Sequence, residues 1–273
     1  MTTHADKIAR FRALHTSGTF VIPNPWDIGS ARYLKSLGFK ALASTSAGFA
    51  WTIGKADFQW SVSLDEMLEH LRALSAATDL PVNADFESGY ADDPEGVAAN
   101  VKRCVASGVS GLSIEDHTSL NDKPLYDFAD AVARIRAARA AIDATGLPVM
   151  LTARSEAWLV RHPEAKRESI KRLVAFAEAG ADVLYAPGVR TAEDIAEQVK
   201  AVAPKPVNVL VGWQGLPVKQ LADLGVRRVS IGGALAKVGW SAVMAAAEEI
   251  AKDGTFGGFA GGRDVNGFFR GLG

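Results

Sequence analysis

The chain has 273 residues, 48% hydrophobic and 22% charged, with a formal net charge of −1. This is enough apolar material for a substantial core, and length alone permits one large domain or two smaller ones. The same figures argue against several classes: there is no basic stripe for nucleic acid, no apolar run of about 18 residues to span a membrane, and no apolar signal core in the polar start Met1-Thr2-Thr3-His4-Ala5-Asp6. The single cysteine, Cys104, leaves no internal disulfide and no cysteine-rich zinc site. Together these features predict a cytoplasmic protein.

Short β-rich runs alternate with longer helical patterns. In chain order the predicted strands are 19–22, 41–44, 82–85, 111–115, 149–153, 182–185, 207–210 and 228–231. The helical patterns between them fall at 28–37, 64–77, 94–107, 128–144, 163–179, 192–202, 218–224 and 234–252. In the third of these, Val97, Val101, Cys104 and Val105 form one apolar stripe, which makes Cys104 buried filler. Gly38, Gly108, Gly146, Gly180 and Gly225 fit helix C-terminal positions. Strands recur about every 30 residues, the length of a βα unit. Repetition without a composition break predicts an α/β chain folded as one (β/α)8 TIM barrel over residues 1–273. A doubly wound sheet is the rival, but Pro23-Asn24-Pro25-Trp26-Asp27 is not the phosphate fingerprint such a sheet carries after its first strand. The segment 254–273 is glycine-rich yet holds Phe256, Phe259, Phe268 and Phe269, so it reads as a docking segment against the barrel or a neighbouring subunit rather than a disordered tail.

Barrel enzymes carry their chemistry at the C-terminal ends of strands. Here those ends hold Asn24 and Asp27, Thr45-Ser46-Ala47, Asp85 and Glu87, Glu115 and Asp116, Arg154, Pro187, Asn208, and Gly232-Gly233. Residues i and i+2 of a strand share a face, so Asp85 and Glu87 can point the same way, and two such carboxylates resist burial unless a cation lies between them. A hard divalent ion is the simplest candidate. Capping of the next helix is the competing role, but Asp92 and Asp93 are better placed for it. Glu115 reads either as a metal-shell group acting through water or as a solvated strand-end acid. Asp116 and His117 read equally as site or loop residues. Arg154 requires an acid or an anionic substrate as partner, with Glu115 and Glu156 the nearest structural candidates. Thr45-Ser46-Ala47-Gly48 offers backbone N–H groups for a carboxylate or oxyanion. Gly232-Gly233 is either a phosphate-binding turn or simply a tight turn. Trp51 reads as core or interface packing, or instead as a loop residue that covers the site. No lysine closes a strand, which argues against Schiff-base chemistry.

Taken together and in order, Asn24-Pro25-Trp26-Asp27, Thr45-Ser46-Ala47-Gly48, Asp57, Asp85-Phe86-Glu87-Ser88-Gly89-Tyr90, Ser113-Ile114-Glu115-Asp116 and Thr152-Ala153-Arg154-Ser155-Glu156-Ala157 resemble the isocitrate lyase / phosphoenolpyruvate mutase superfamily across nearly the whole chain. The resemblance implies a barrel with a swapped C-terminal helix, a homo-oligomer (dimer or tetramer), and Mg²⁺, or Mn²⁺ in its place, beside a 2-oxo acid or enolate. It further implies Asp85 as the direct metal ligand, with Asp57, Glu87 and Glu115 holding its waters. Thr45, Ser46, Ala47 and Asn208 would contact the substrate, and Arg154 would neutralise developing charge. The departures are equally specific. The Lys-Lys/Arg-Cys-Gly-His loop of the lyases is absent from the shorter stretch Asp116–Tyr126, and Pro187 stands where a glutamate is expected.

These features predict a Mg-dependent carbon–carbon lyase or decarboxylase for a small 2-oxo or 2-hydroxy dicarboxylate, working through an enolate of the pyruvate type. Arg154, Glu115 and His117 are the candidate catalytic residues, and Tyr90 is a further candidate proton donor. One alternative is phosphonopyruvate hydrolase or phosphonomutase chemistry, with Thr118 or Asn121 meeting the phosphoryl group. The other is a non-catalytic binder of 2-oxo acids.

Overall fold

The computed structural model describes residues 2–118, 120 and 122–271. Eight parallel strands form one sheet in the order β1-β8-β7-β6-β5-β4-β3-β2. They are β1 (Phe20–Ile22), β2 (Leu42–Ala43), β3 (Val82–Asp85), β4 (Gly111–Glu115), β5 (Met150–Arg154), β6 (Val183–Tyr185), β7 (Val207–Leu210) and β8 (Arg228–Ser230). Between β1 and β2 the ring closes through Ala43 N–H to Pro23 O at 3.0 Å and Asn24 Nδ2 to Ser44 O at 2.8 Å rather than through a ladder. The expected (β/α)8 barrel is the observed architecture.

The strands alternate, and the alternation sets what lies inside. Leu112 and Ile114, Leu151 and Ala153, Val207 and Val209 belong to the main core cluster beneath the helices. Their i±1 neighbours Ser113, Thr152 and Asn208 face the barrel interior, in keeping with the period of two. Below that polar layer the barrel is closed by a separate apolar cluster of Phe11, Ile22, Ala41, Ala43, Met150 and Val183. Phe11 comes from α1 (His4–Leu14), a helix the hydrophobic pattern leaves unassigned. Its signal is the capping box formed by Thr3 and Asp6, in which Asp6 N–H donates to Thr3 Oγ1 at 3.1 Å and Thr3 N–H donates to Asp6 Oδ2 at 3.0 Å. Complete burial of the Phe11 ring contributes about 1.5–3 kcal/mol.

The outer helices of the first unit are α2 (Ile28–Ser36), α3 (Ser46–Thr52), α4 (Leu64–Ala77), α5 (Pro94–Ala106), α6 (Phe128–Asp143), α7 (Ala165–Glu178), α8 (Ala192–Val202) and α9 (Val218–Asp223). The expected boundaries hold to within about two residues, the ordinary scatter of helix ends. Gly180 illustrates the glycine stops: its φ is +103°, and a Cβ there would meet Arg139 Cγ at 2.7 Å. Trp51 lies on α3, not in a loop, and its ring rests against Gly233.

The chain divides into two compact units, Met1–Ala234 and Leu235–Gly273. The second contains most of α10 (Ala234–Asp253), a single 3-10 turn at Gly257–Phe259 and α11 (Val265–Arg270). Within it, Glu249 accepts from Gly257 N–H and Gly258 N–H, each at 2.7 Å, which ties the turn back to the helix. Val238, Val243, Met244, Phe256 and Phe259 are exposed. Among the described residues, no helix is long and apolar enough to cross a membrane.

Candidate active site

A cavity of about 200 Å³ opens at the C-terminal ends of the strands. Its wall includes Thr45, Ser46, Ala47, Asp57, Asp85, Arg154 and Asn208, so seven of the expected site residues meet there. Glu87, Glu115 and His117 do not line it.

Arg154 is the hub. Its Nη1 donates to Asp85 Oδ1 at 2.8 Å and pairs with Glu115 Oε1 at 2.7 Å, while Nε donates to Glu156 Oε1 at 2.9 Å. The local sequence explains the fan. Glu115 and Arg154 are register partners on β4 and β5, Asp85 ends β3, and Glu156 opens the turn after β5. Both structural partners considered for Arg154 are therefore real, alongside a third acid on the cavity wall. Burial alone would lower the Arg154 pKa, but the surrounding carboxylates, Glu115 foremost, hold it well above its ordinary value. Burial pushes the Glu115 and Glu156 carboxyls up, against the pull of the same guanidinium. The Tyr185 ring lies 4.9 Å from the Arg154 guanidinium carbon.

Thr45-Ser46-Ala47-Gly48 is the start of α3. Thr45 is its N-cap, with Oγ1 accepting from Gly48 N–H at 3.2 Å. Ser46 N–H and Oγ both donate to Asp85 Oδ2, at 3.0 and 3.1 Å. The cradle read as an oxyanion site thus holds Asp85 itself. Asp57 borders the cavity with its outer edge in water. Partial desolvation, then the charge of Asp85, raises its carboxyl. Gly232-Gly233 forms a tight turn on the cavity wall: Asn24 Oδ1 accepts from Ile231 N–H at 3.0 Å and Gly232 N–H at 2.9 Å, and a Cβ on Gly233 would lie 3.3 Å from Ala47 Cβ and Trp51.

Glu87 is buried and acts as a latch. Oε2 accepts from Trp60 N–H at 2.6 Å and Oε1 from Tyr90 Oη at 2.9 Å. Trp60, Glu87 and Tyr90 all have left-handed φ, at +57°, +45° and +56°, a costly conformation for such residues that persists only where the surroundings over-determine it. Gln59 Nε2 and Trp60 Nε1 bond Ser88 Oγ, so the segment carrying Asp57 is clamped onto the loop after β3. Tyr90, considered as a proton donor, is tied to Glu87, and burial raises its phenol further. His117 is half-buried and pairs with Leu125 in an isolated bridge. Burial lowers its pKa. Thr118 is buried and its Oγ1 donates to Lys123 O within its own loop. Asn121 lies outside the described residues.

Burial raises Glu87 to about 7 against an ordinary 4.5. A carboxyl with a raised folded pKa favours folding while protonated. Its contribution is therefore full below about pH 4.5 and is lost as pH rises through about 7, amounting to about 3 kcal/mol. In chelator-treated protein, Glu87→Gln should match the wild type in urea unfolding at pH 5 and exceed it by up to that amount at pH 8. A difference independent of pH would refute this assignment.

The donors facing the cavity and behind it, Asp57, Asp85, Glu87 and Glu115, are all carboxylate oxygens, the chemistry of a hard ion such as Mg²⁺. Among the described residues no three His, Cys, Asp or Glu side chains converge as a joint ligand set. Such an ion would fit with Asp85 as its direct carboxylate and the other acids reaching it through water, which suits a cation that dehydrates reluctantly.

The residues that strand-end reading misses lie one layer deeper. Asn83, Ser113, Tyr185, Arg228 and Ser230 also line the cavity. Asn83, Ser113, Tyr185 and Ser230 stand two residues before Asp85, Glu115, Pro187 and Gly232, and Arg228 two before Ser230, so the period of two is the signal that finds them.

A parallel barrel with acids and a guanidinium at the C-terminal strand ends defines an enzyme of the (β/α)8 class. Residues 11–251 match the phosphoenolpyruvate phosphomutase family, and the chain belongs to it. It is similar to a solved Burkholderia cenocepacia J2315 structure assigned by inference as a lyase/mutase, with 47% identity, 97% of this chain and 96% of that chain covered, and a TM-score of 0.92. It is 31% identical to an oxaloacetate decarboxylase of Rhodopseudomonas palustris over 90% of this chain and 83% of that protein. It is also similar to the structure of oxaloacetate acetylhydrolase in complex with the product oxalate, at 26% identity, with coverage of 98% and 94% and a TM-score of 0.86.

Proposed function

We propose that this chain is a Mg-dependent lyase or decarboxylase that breaks a carbon–carbon bond in a small 2-oxo or 2-hydroxy dicarboxylate. The observation that carries the reading is Arg154. It is a buried guanidinium whose Nη1 reaches both Asp85 and Glu115 on the edge of a cavity sized for a small acid. The decarboxylase and acetylhydrolase relatives support the same substrate class. The chemistry supplied by bound Mg²⁺, or Mn²⁺ in its place, is Lewis-acid polarisation of the substrate oxygens beside Asp85. The chain itself contributes a fixed cation. Arg154 is oriented by Glu115 and Glu156, so its charge needs no reorganisation when the bond breaks and the substrate oxygen becomes an enolate. Removal of one such preorganised group typically costs about 2.7–4 kcal/mol in barrier height. Ser46 fixes the Asp85 carboxylate from the opposite side, Asn208 supplies an amide to the substrate, and Glu87 holds the segment that carries Asp57 onto the loop after β3.

The family match favours phosphorus–carbon chemistry as a second reading. Against it, the Thr118 hydroxyl is spent within its own loop. The assembly we propose is a homo-oligomer, dimer or tetramer, supported by the exposed apolar side chains of residues 235–273, with 254–273 as the docking segment of a single barrel domain. The proposed location is the cytoplasm, supported by one buried free thiol, Cys104.

Incubation with Mg²⁺ and oxaloacetate, dimethylmalate, methylisocitrate or phosphonopyruvate separates the readings. Pyruvate or another 2-oxo acid formed without phosphate is the expected outcome. Phosphate released from phosphonopyruvate transfers the assignment to the second reading. Tight binding without turnover makes the chain a 2-oxo acid binder.

A further inference from the structure

The cavity wall carries two guanidiniums in opposite electrostatic situations. Arg154 is surrounded by Asp85, Glu115 and Glu156. Arg228, deeper on β8, is only 3% exposed and lines the same cavity, yet its partners are all neutral. Nε donates to Asn208 Oδ1 at 2.8 Å, Nη2 donates to Thr152 Oγ1 at 2.9 Å, and Nη1 meets His15 Nε2 at 3.4 Å. His15 brings no negative charge: burial, and after it the charge of Arg228, hold its pKa near 3. Among the described residues no carboxylate pairs with Arg228. Burial pulls its pKa down to about 10, which still leaves it cationic at neutral pH.

A buried charge without a counter-ion is costly, and the three contacts use three of the five guanidinium donors. The same contacts orient Asn208. Because arginine only donates, Asn208 must turn its oxygen toward Arg228. That leaves Nδ2 for Ser230 Oγ at 2.9 Å, with its second proton free. The inner end of the cavity is thus a donor-rich, net-positive surface of Arg228, Asn208 and Ser230, whereas Asp57 and Asp85 border its mouth.

We propose that Arg228 is the specificity-determining residue for a second anionic group: the cavity selects dicarboxylates over monocarboxylates because the far carboxylate supplies the counter-ion that the fold withholds from Arg228. The proposal rests on the reading of this cavity as a small-acid site, but its test does not require turnover.

Calorimetric titration of the Mg-loaded protein with pyruvate, malate and dimethylmalate should give dicarboxylate affinities at least about tenfold above pyruvate. Arg228→Met should weaken both dicarboxylates by about 10- to 100-fold, the range for a lost hydrogen bond to a charged group, with pyruvate changed by less than about threefold. Arg228→Lys should retain part of the preference. His15→Glu, whose carboxylate has the reach of the imidazole Nε2, provides Arg228 with an internal counter-ion from outside the cavity. It should unfold cooperatively in urea and lose the dicarboxylate preference, so the proposal remains testable if Arg228→Met does not fold. Equal weakening of pyruvate and dicarboxylates in Arg228→Met, or an unchanged preference in His15→Glu, would overturn the proposal and leave Arg228 a structural tie between β5, β7, β8 and the cap of α1. If no panel compound turns over while the preference exists and vanishes in these variants, the lyase reading fails and the selectivity site stands. Turnover with a preference indifferent to Arg228 has the reverse meaning.

Discussion

Asp85→Ala should lower kcat/KM by about 10³-fold or more, in line with the loss of a group that organises transition-state charge, while the barrel remains folded. Asp85 is held by α3 through Ser46 N–H and Oγ and by β5 through Arg154. Its removal would erase the one carboxylate proposed to touch the metal directly. Arg154 keeps Glu115 and Glu156, so no buried cation is stranded, and the stability cost should be that of the lost hydrogen bonds, about 1–3 kcal/mol. Two measurements check this together: Mg²⁺ titration by calorimetry, expected to lose its binding isotherm, and urea unfolding, expected to stay cooperative. Retention of wild-type Mg²⁺ affinity would rule out Asp85 as the metal group.

Arg154→Leu should be the more damaging change to the fold. It leaves the buried carboxyls of Glu115 and Glu156 without their cation, and breaking a buried pair from one side costs about 3–5 kcal/mol. The sign of the pH dependence follows from the direction of the shifts. Burial already raises both carboxyls, and without Arg154 they rise further. Carboxyls with raised folded pKa values favour the fold while protonated and penalise it as pH climbs through those values. The variant should therefore lose more stability relative to wild type at pH 8 than at pH 5.5. Paired urea curves at the two values measure this, and a stability loss equal at both, or greater at the lower pH, would contradict the coupling. Turnover should be lost at either pH, because the fixed cation is gone.

The strand framework is legible because its signals are local. The runs at Val82–Asp85 and Gly111–Glu115 begin apolar, end in acids, and are bounded by turn residues. Two helices of the first unit, α1 and α3, resist reading for separate reasons. α1 hides in a polar leader whose capping box needs Thr3 and Asp6 to be read as a pair. α3 begins Thr-Ser-Ala-Gly, a composition equally suited to a loop, and is fixed as a helix by the Thr45 cap and the Ser46–Asp85 contacts. The site divides similarly. Arg154, Asp85 and Asp57 are strand-end or motif residues and meet in space. The hold of Glu87 on Trp60 joins segments 27 residues apart through one backbone N–H, which no local pattern encodes. Arg228 escapes because a charged residue early in a strand looks like a boundary residue until the barrel closes around it.

The Arg154–Asp85 contact also bears on how this fold would take up the proposed metal. In many small metal proteins the ion is the missing cross-link, and the apo chain is unfolded. Here the Arg154 guanidinium on β5 itself bridges to Asp85 on β3 and Glu115 on β4. A divalent cation approaching Asp85 meets a carboxylate whose charge is partly cancelled and a neighbour of its own sign. Loading of the proposed ion would thus exchange one counter-charge for another at Asp85, while the contacts of Arg154 with Glu115 and Glu156 would not depend on it.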